Sequence, residues 1–345
     1  MNGEIAAQDA PRTNNNSGVL SLYKHLWAHS YGRRGMLVAA MALLLLAQCV
    51  LLSVPYFAGR AINTLQAEGA AGMGQAGLWL IMVVAATAVS WLFHGPGRLL
   101  ERNVALEVRH RISTGLFARL LALPLAWHEK NHSGGTAHRV QQSSGALSAF
   151  TQSQFIYLSS AVRLVGPMVA LWLLEPVVGM SAILGFVIIC VSVMTFDRAM
   201  IRLAHRENDA ERRYSAALLD ALGNITSVFA LRQAPAMKQL LRRRLESIFA
   251  PLRRSIVLNE AKWCTVDVCS RALSCGLVAL FAWLAVRHVD GVAQKTIMLG
   301  SLYMVWEYAS QAGGVISAFA SHFQTFARQH ADFASADPIR EAQIA

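Results

Sequence analysis

The sequence predicts an all-α membrane protein with six transmembrane helices and long cytoplasmic helical extensions. Three observations point there. Of 345 residues, 54% are hydrophobic and only 15% charged, with a mean hydropathy of +0.38. Soluble domains carry about 25% charged residues. The apolar residues are gathered into six windows of about 20, each long enough to cross a hydrocarbon layer of roughly 30 Å. The basic residues are concentrated in alternate connections between those windows, as the positive-inside rule requires.

In chain order, residues 1–18 are polar and Asn-rich, with no basic region leading into a short apolar core, and are expected to be a disordered cytoplasmic N-terminus. Val19, Leu20, Leu22, Tyr23, Leu26 and Trp27, interleaved with Lys24, His25, Arg33 and Arg34, read as an amphipathic helix lying at the membrane surface. The crossings are placed at Met36–Ala58, Leu78–Pro96, Phe155–Leu174, Val177–Phe196, Ala272–Arg287 and Leu299–Phe319. The third and fourth are separated only by Glu175 and Pro176, which predicts a tight hairpin. Proline cannot donate the amide proton that would continue the helix.

The first–second loop holds Arg60, the third–fourth hairpin no Lys or Arg, and the fifth–sixth loop Arg287 and Lys295. The other two connections run from Arg98 to Arg139 and from Arg198 to Lys262, and both are rich in arginine. Those two face the cytoplasm, and so do both termini. Neither connection reads as disorder. Val104, Val108, Ile112, Leu116 and Leu120 recur at helical spacing, and charged residues alternate with Leu, Ile and Phe at three- and four-residue steps in 197–219 and 237–257. The helices should therefore continue as stalks some 25 to 40 Å beyond the membrane. The net charge of +11 serves topology and anionic lipid contact, not nucleic acid. The five cysteines lie in or near apolar segments without a C-x-x-C pair and imply neither disulfide nor metal.

Three local stretches carry a resemblance. Leu123-Pro124-Leu125-Ala126-Trp127-His128-Glu129-Lys130, followed by Gly134, resembles the first coupling helix of type I ABC exporters. Leu218 to Ala230 (LLDALGNITSVFA) resembles the segment holding their second coupling helix. Ala331-Asp332-Phe333-Ala334-Ser335-Ala336 resembles the stretch that leads from the sixth crossing to a nucleotide-binding domain. With the order of surface helix, crossings and stalks, the chain resembles the transmembrane domain of that family over residues 20 to 340.

The resemblance implies a six-helix domain over residues 19–330 and a linker over 331–345. It implies a second transmembrane subunit, identical or not, with crossings four and five reaching across to the partner, and a home in a bacterial inner (plasma) membrane. Trp127, His128, Glu129 and Lys130, with Asn224 and Ile225, would contact a nucleotide-binding domain or subunit, Trp127 as apolar anchor. ATP and magnesium would be bound by that partner and not by this chain. None of the five lysines follows a glycine, so the sequence contains no phosphate-binding Gly-Lys loop.

Charged and polar residues inside crossings mark either a cavity or a structural pair. Gln48, Arg163, Tyr303, Trp306, Glu307 and Gln311 are the candidate lining of a translocation pathway, and Arg163 and Glu307 could equally pair with each other or a neighbour. Asp267 and Arg271, four residues apart, are expected to form a structural ion pair. His128-Glu129-Lys130-Asn131-His132 matches the H-E-x-x-H zinc-protease pattern, in which two histidines one turn apart on a helix hold the metal. Pro124 before it and Ser133-Gly134-Gly135 after it leave barely two turns for that helix. An intramembrane zinc protease is the alternative reading, and a membrane scaffold without transport a third.

Overall fold

The computed structural model describes residues 15–131, 133–287 and 298–343, and every regular element among them is helical. Lys295, and residues 1–14 of the polar N-terminal segment, lie outside the described residues. The chain divides into two compact units: Met1–Pro167 with Met298–Met304 and Ala318–Ala345, and Met168–Ile297 with Val305–Ser317.

The first unit opens with α1 (Asn15–His29), then α2 (Arg34–Leu51) and α3 (Val54–Glu68). The break at Leu52 and Ser53 interrupts the expected first crossing. Pro55 has no amide proton to give to the preceding turn, and the Ser53 hydroxyl donates instead to the Val50 carbonyl at 2.7 Å. A 3-10 turn, Gly69–Gly72, leads into α4 (Met73–Leu121), a 49-residue helix that merges the second crossing with its stalk. At about 1.5 Å per residue it is roughly 74 Å long, far more than a bilayer needs.

α2 lies along α4 through small residues: Leu44 and Ala47 are fully buried, and Ser90 donates to the Ala47 carbonyl at 3.0 Å. A short helix α5 (Leu125–Lys130) precedes α6 (Ser133–Gln152), which turns back along the stalk, and α7 (Gln154–Leu174) re-enters the apolar region. The joint between α6 and α7 is tied by charge. Glu101, 1% exposed, pairs with Arg98 and accepts the Phe155 amide at 2.8 Å, while Arg98 also donates to the Gln152 carbonyl at 3.0 Å. The stalk residues picked out by their spacing form the core here. Val104 and Val108 are fully buried, Ile112 and Leu116 nearly so, and they pack with Leu22, Leu26, Leu147 and Phe150.

The second unit is built on two antiparallel rods. α8 (Pro176–Gly223) and α10 (Ala234–Arg287) run 48 and 54 residues and are joined by the short α9 (Ile225–Ala230). Val178, Ala182, Phe186, Ile189 and Val193 form a buried stripe on α8 at steps of three and four. Beyond Asp197, which is bonded to Lys262 on α10 at 3.2 Å, only Ala210 and Ala221 are buried on α8 among the described residues. The expected hairpin between crossings three and four is present. Glu175 is extended, α8 starts at Pro176, and Gly179 packs so closely that an added Cβ would stand 2.5 Å from the Trp172 Cα.

α11 (Leu299–Ala334) spans both units and is followed by the one-turn α12 (Asp337–Arg340). In the first unit, α3 caps its start. Asn63 accepts the Gly300 amide at 2.8 Å, and Gln66 accepts the Leu299 amide at 2.7 Å, satisfying donors that a helix N-terminus leaves free.

Four stretches of the described residues are long and apolar enough to cross a membrane: Arg34–Leu121, Ser133–Leu174, Pro176–Gly223 and Ala234–Val286. The first contains two of the expected crossings and the other three one each. The remaining one falls on α11, whose apolar character Glu307 and Gln311 dilute and whose 36 residues exceed the length a crossing needs. The six-helix reading is consistent with this arrangement.

Candidate functional site

The two connections that should meet a partner both end in a one-and-a-half-turn helix between long ones. At the first tip, Pro124 adopts an extended conformation (φ −61°, ψ 151°) and starts α5, and Asn131 (φ −120°, ψ 115°) ends it. Trp127 is half-buried and packs against the core of its own unit, with the Asn131 amide donating to its carbonyl at 2.8 Å. His128 Nε2 sits 3.0 Å from the Leu120 carbonyl. His128 and Glu129 line an open cleft of about 700 Å³ beside α4 and α6. The most outward apolar side chain of this tip is Leu125, 75% exposed. Glu129 and Lys130 are exposed beside it.

At the second tip, Asn224 precedes α9, and none of that helix is buried. Phe229 and Leu231 are 70% and 68% exposed, and Ile225 is also exposed. The helix ends in a two-bond lock: Gln233 N–H donates to the Val228 carbonyl at 2.9 Å and Arg232 N–H to the Phe229 carbonyl at 3.1 Å. That closure needs a left-handed residue, and Arg232 supplies it at φ 51° where glycine is the usual choice. Asn224 and Ile225 therefore sit at the start of this helix, while its apolar weight lies at Phe229 and Leu231. These two, like Leu125, were not singled out by pattern. The available signal was a large apolar residue in a short segment that polar residues surround.

The end of α11 and the segment after it are not a loose tether. Phe333 is 3% exposed and Ala336 and Ile339 fully buried, all within the first unit's core. Arg119 donates to the Ile339 carbonyl at 2.9 Å and the Ala342 carbonyl at 3.1 Å, and Ser143 donates to the Phe333 carbonyl at 2.9 Å. Arg340 stacks on Phe333 at 3.9 Å and donates to Ser143 at 2.7 Å. His25 of α1 packs on the same ring, centroids 4.7 Å apart. Burial, and then the Arg340 charge, lower the His25 pKa below its ordinary value. Chain that resembles a linker is thus bolted to the first stalk.

The pathway candidates fall in both units. Gln48 is buried on α2, Arg163 is exposed on α7 without an ion pair among the described residues, and Tyr303 is exposed near the start of α11; all three belong to the first unit. Trp306, Glu307 and Gln311 are half-buried in the second, where Gln311 donates to Glu307 at 3.2 Å. The expected Asp267–Arg271 ion pair does not form. Arg271 lies over the Trp306 ring at 6.0 Å instead, exchanging a solvent-weakened charge pair for an aromatic face.

The zinc geometry is not met by α5, which ends at Lys130, and His132 lies outside the described residues. Among the described residues no three His, Cys, Asp or Glu side chains are grouped to hold a metal ion.

Long paired helices with short exposed helices at both tips define one known architecture, and the family model for the ABC transporter transmembrane region matches residues 37–304. The chain belongs to that family. It is also 29% identical over 231 residues to the Beta-(1→2)glucan export ATP-binding/permease protein NdvA of Nitrobacter winogradskyi. That match covers 63% of this chain and 36% of the relative, so the chain spans about a third of the length of the curated protein it matches. As an ABC transmembrane region, the chain is an integral membrane protein.

Proposed function

We propose that this chain forms the substrate pathway of an ATP-driven exporter and takes its driving force from nucleotide-binding domains outside the sequence described. The single observation that carries the reading is the pair of exposed tips. α5 offers Leu125 with Glu129 and Lys130, and α9 offers Ile225 and Phe229, each on a helix too short to have any role in crossing a membrane. An apolar anchor ringed by polar groups is the usual composition of an interface centre.

On this reading the chain crosses the membrane six times, in a bacterial inner membrane with both termini inside, and pairs with a second transmembrane subunit. ATP and magnesium bind to the partner domains. Their closure pushes on α5 and α9, and the stalks carry the movement to the translocation pathway, for which Arg163, Glu307 and Gln311 are candidates. Transport then follows from the different affinities of inward- and outward-open states for cargo, and not from chemistry in this chain. The relative's name makes a β-(1→2)-linked glucan the first cargo to try.

The test is co-expression with the nucleotide-binding domain encoded with or beside this chain, followed by reconstitution into vesicles. Hydrolysis should rise on assembly. Phe229→Asp should lower assembly-dependent hydrolysis about tenfold or more while the membrane chain stays folded, because a charge is placed where an apolar anchor is needed. Unchanged hydrolysis in that variant, or no association with any ATPase, overturns the reading.

A further inference from the structure

We propose that the groove between α2–α3 and α4 holds an acyl chain of an anionic membrane phospholipid, with Arg60 at its mouth binding the phosphate. The groove measures about 490 Å³ and is lined by residues such as Leu46, Cys49, Phe57, Met82, Ala85 and Val89. Its one hydroxyl, on Ser53, is spent on the Val50 carbonyl, so only the weakly donating Cys49 thiol is left to a polar guest. The groove runs past the Leu52–Ser53 break between α2 and α3, and Ala85 and Ala86 leave the facing side of α4 without bulk.

Aromatic rings mark one end, beside Phe57. Phe57 stacks on Trp79 with centroids 6.1 Å apart and planes 23° apart, and the Arg60 guanidinium lies 5.4 Å above the Trp79 ring. Trp79 stands one turn beyond Met82 on α4, and Arg60 one turn beyond Phe57 on α3. The cation therefore sits just past one end of the apolar groove, at its mouth. It is exposed and forms no ion pair among the described residues.

The depth fits as well. Arg34 opens α2, and the 26 residues from there to Arg60 rise by at most about 39 Å, close to the 40–45 Å between headgroup layers. A Trp and an Arg at headgroup depth, above an apolar channel, match the three parts of one lipid: phosphate, glycerol region and tail. Charge complementarity selects the anionic class. A helix from a second copy would fill the slot but leave Arg60 without an anion.

The chain, with the ATPase it purifies with, would be reconstituted in phosphatidylcholine vesicles containing a tracer of photoreactive lipid. The tracer carries a diazirine on its acyl chain and either a phosphatidylglycerol or a phosphatidylcholine headgroup. Cross-linked positions are mapped by peptide mass spectrometry. Label should concentrate on the groove residues Leu46, Cys49, Phe57, Met82 and Val89, about fivefold more from phosphatidylglycerol than from phosphatidylcholine, as expected for one cation near the membrane surface. Arg60→Gln should bring the anionic tracer down to the phosphatidylcholine level without changing the latter.

Ala85→Phe should remove groove label from both tracers and leave label at the outward-facing Val84 and Leu92, which also reports that the variant is folded. Equal labelling by the two headgroups in the wild type overturns the proposal. So does groove label no richer than at Val84 and Leu92, or a groove left unlabelled because another copy covers it.

Discussion

The two stalk tips differ in how much of their structure they own. The first is embedded in its unit: Trp127 leans on the core, and His128 and Asn131 bond to backbone carbonyls. The end of α11 and the segment after it add Phe333 and Ile339 to that core. The second tip stands at the end of two rods whose buried stripe stops near Asp197, and its helix, which like α5 has no fully buried residue, is half-buried only at the small side chain of Val228. A short helix that buries so little apolar surface gains little beyond its own marginal propensity. The first unit is therefore built to hold its shape alone, and the second to be finished by something that covers it.

The sharpest way to break this contrast is in the first unit's charge joint. Glu101→Ala removes the partner of Arg98 and the acceptor of the Phe155 amide in one step. Breaking a buried pair in this way costs about 3 kcal/mol. Thermal unfolding of the purified protein should show a single large loss. A change under about 1 kcal/mol would mean that the joint is wetter than its 1% exposure indicates.

The matching test in the second unit is Gly179→Ala. The new methyl would stand 2.5 Å from Trp172 Cα, main-chain atoms that a rotamer change cannot move away. Overpacking of this kind costs about 2 kcal/mol, and it should open the α7–α8 hairpin. Protease sensitivity near Glu175 reports it, and wild-type resistance there would show that the hairpin relaxes easily.

Trp127→Ala and Phe229→Ala compare the tips directly. Half-buried Trp127 supports its own unit, so its loss should lower stability by about 1.5 kcal/mol. Phe229, 70% exposed, should cost under about 0.5 kcal/mol in the chain alone. Its loss should instead reduce the hydrolysis of an assembled ATPase. Equal destabilisation by both would erase the distinction between a self-supporting tip and an unfinished one.

Much of this was legible in the sequence. Apolar length and the placement of arginine gave the crossings and stalks, because those signals are periodic and local. The helical spacing from Val104 to Leu120 became part of one long helix, whose apolar side is core from Val104 to Leu116, and Glu175-Pro176 became the hairpin. What stayed hidden depends on which neighbour wins a side chain. Trp127 has the size and amphipathic character of an outward anchor, yet it packs inward and leaves Leu125 outside. Arg271 has an aspartate one turn away, yet it takes the Trp306 ring across helices. The break in the first crossing rests on Pro55, whose effect falls on the turn before it and not on the apolar count. The stretch after α11 looked like a tether because it is short and mixed, and its anchors, Arg119 and Ser143, lie some 190 to 220 residues away in the chain.

The smallest expected effect concerns that anchored segment and acid. His25 is packed on Phe333 with Arg340 on the same ring, and its folded-state pKa lies below the ordinary imidazole value through burial first and the Arg340 charge second. Between the lowered value and the ordinary one near 6.5, the unfolded chain holds more protons than the folded chain, so stability rises with pH there. The contribution is complete above about pH 6.5 and is lost as pH falls through the folded value. His29, His330 and Asp337 also face this imidazole, so the comparison must be with a variant and not with neutral pH alone. His25→Gln removes the titrating group and keeps a similar volume. Unfolding midpoints measured from pH 7.5 to 5.5 should fall more steeply for the wild type than for His25→Gln. Parallel curves would place the acid response of the clamp at the other histidines or at Asp337.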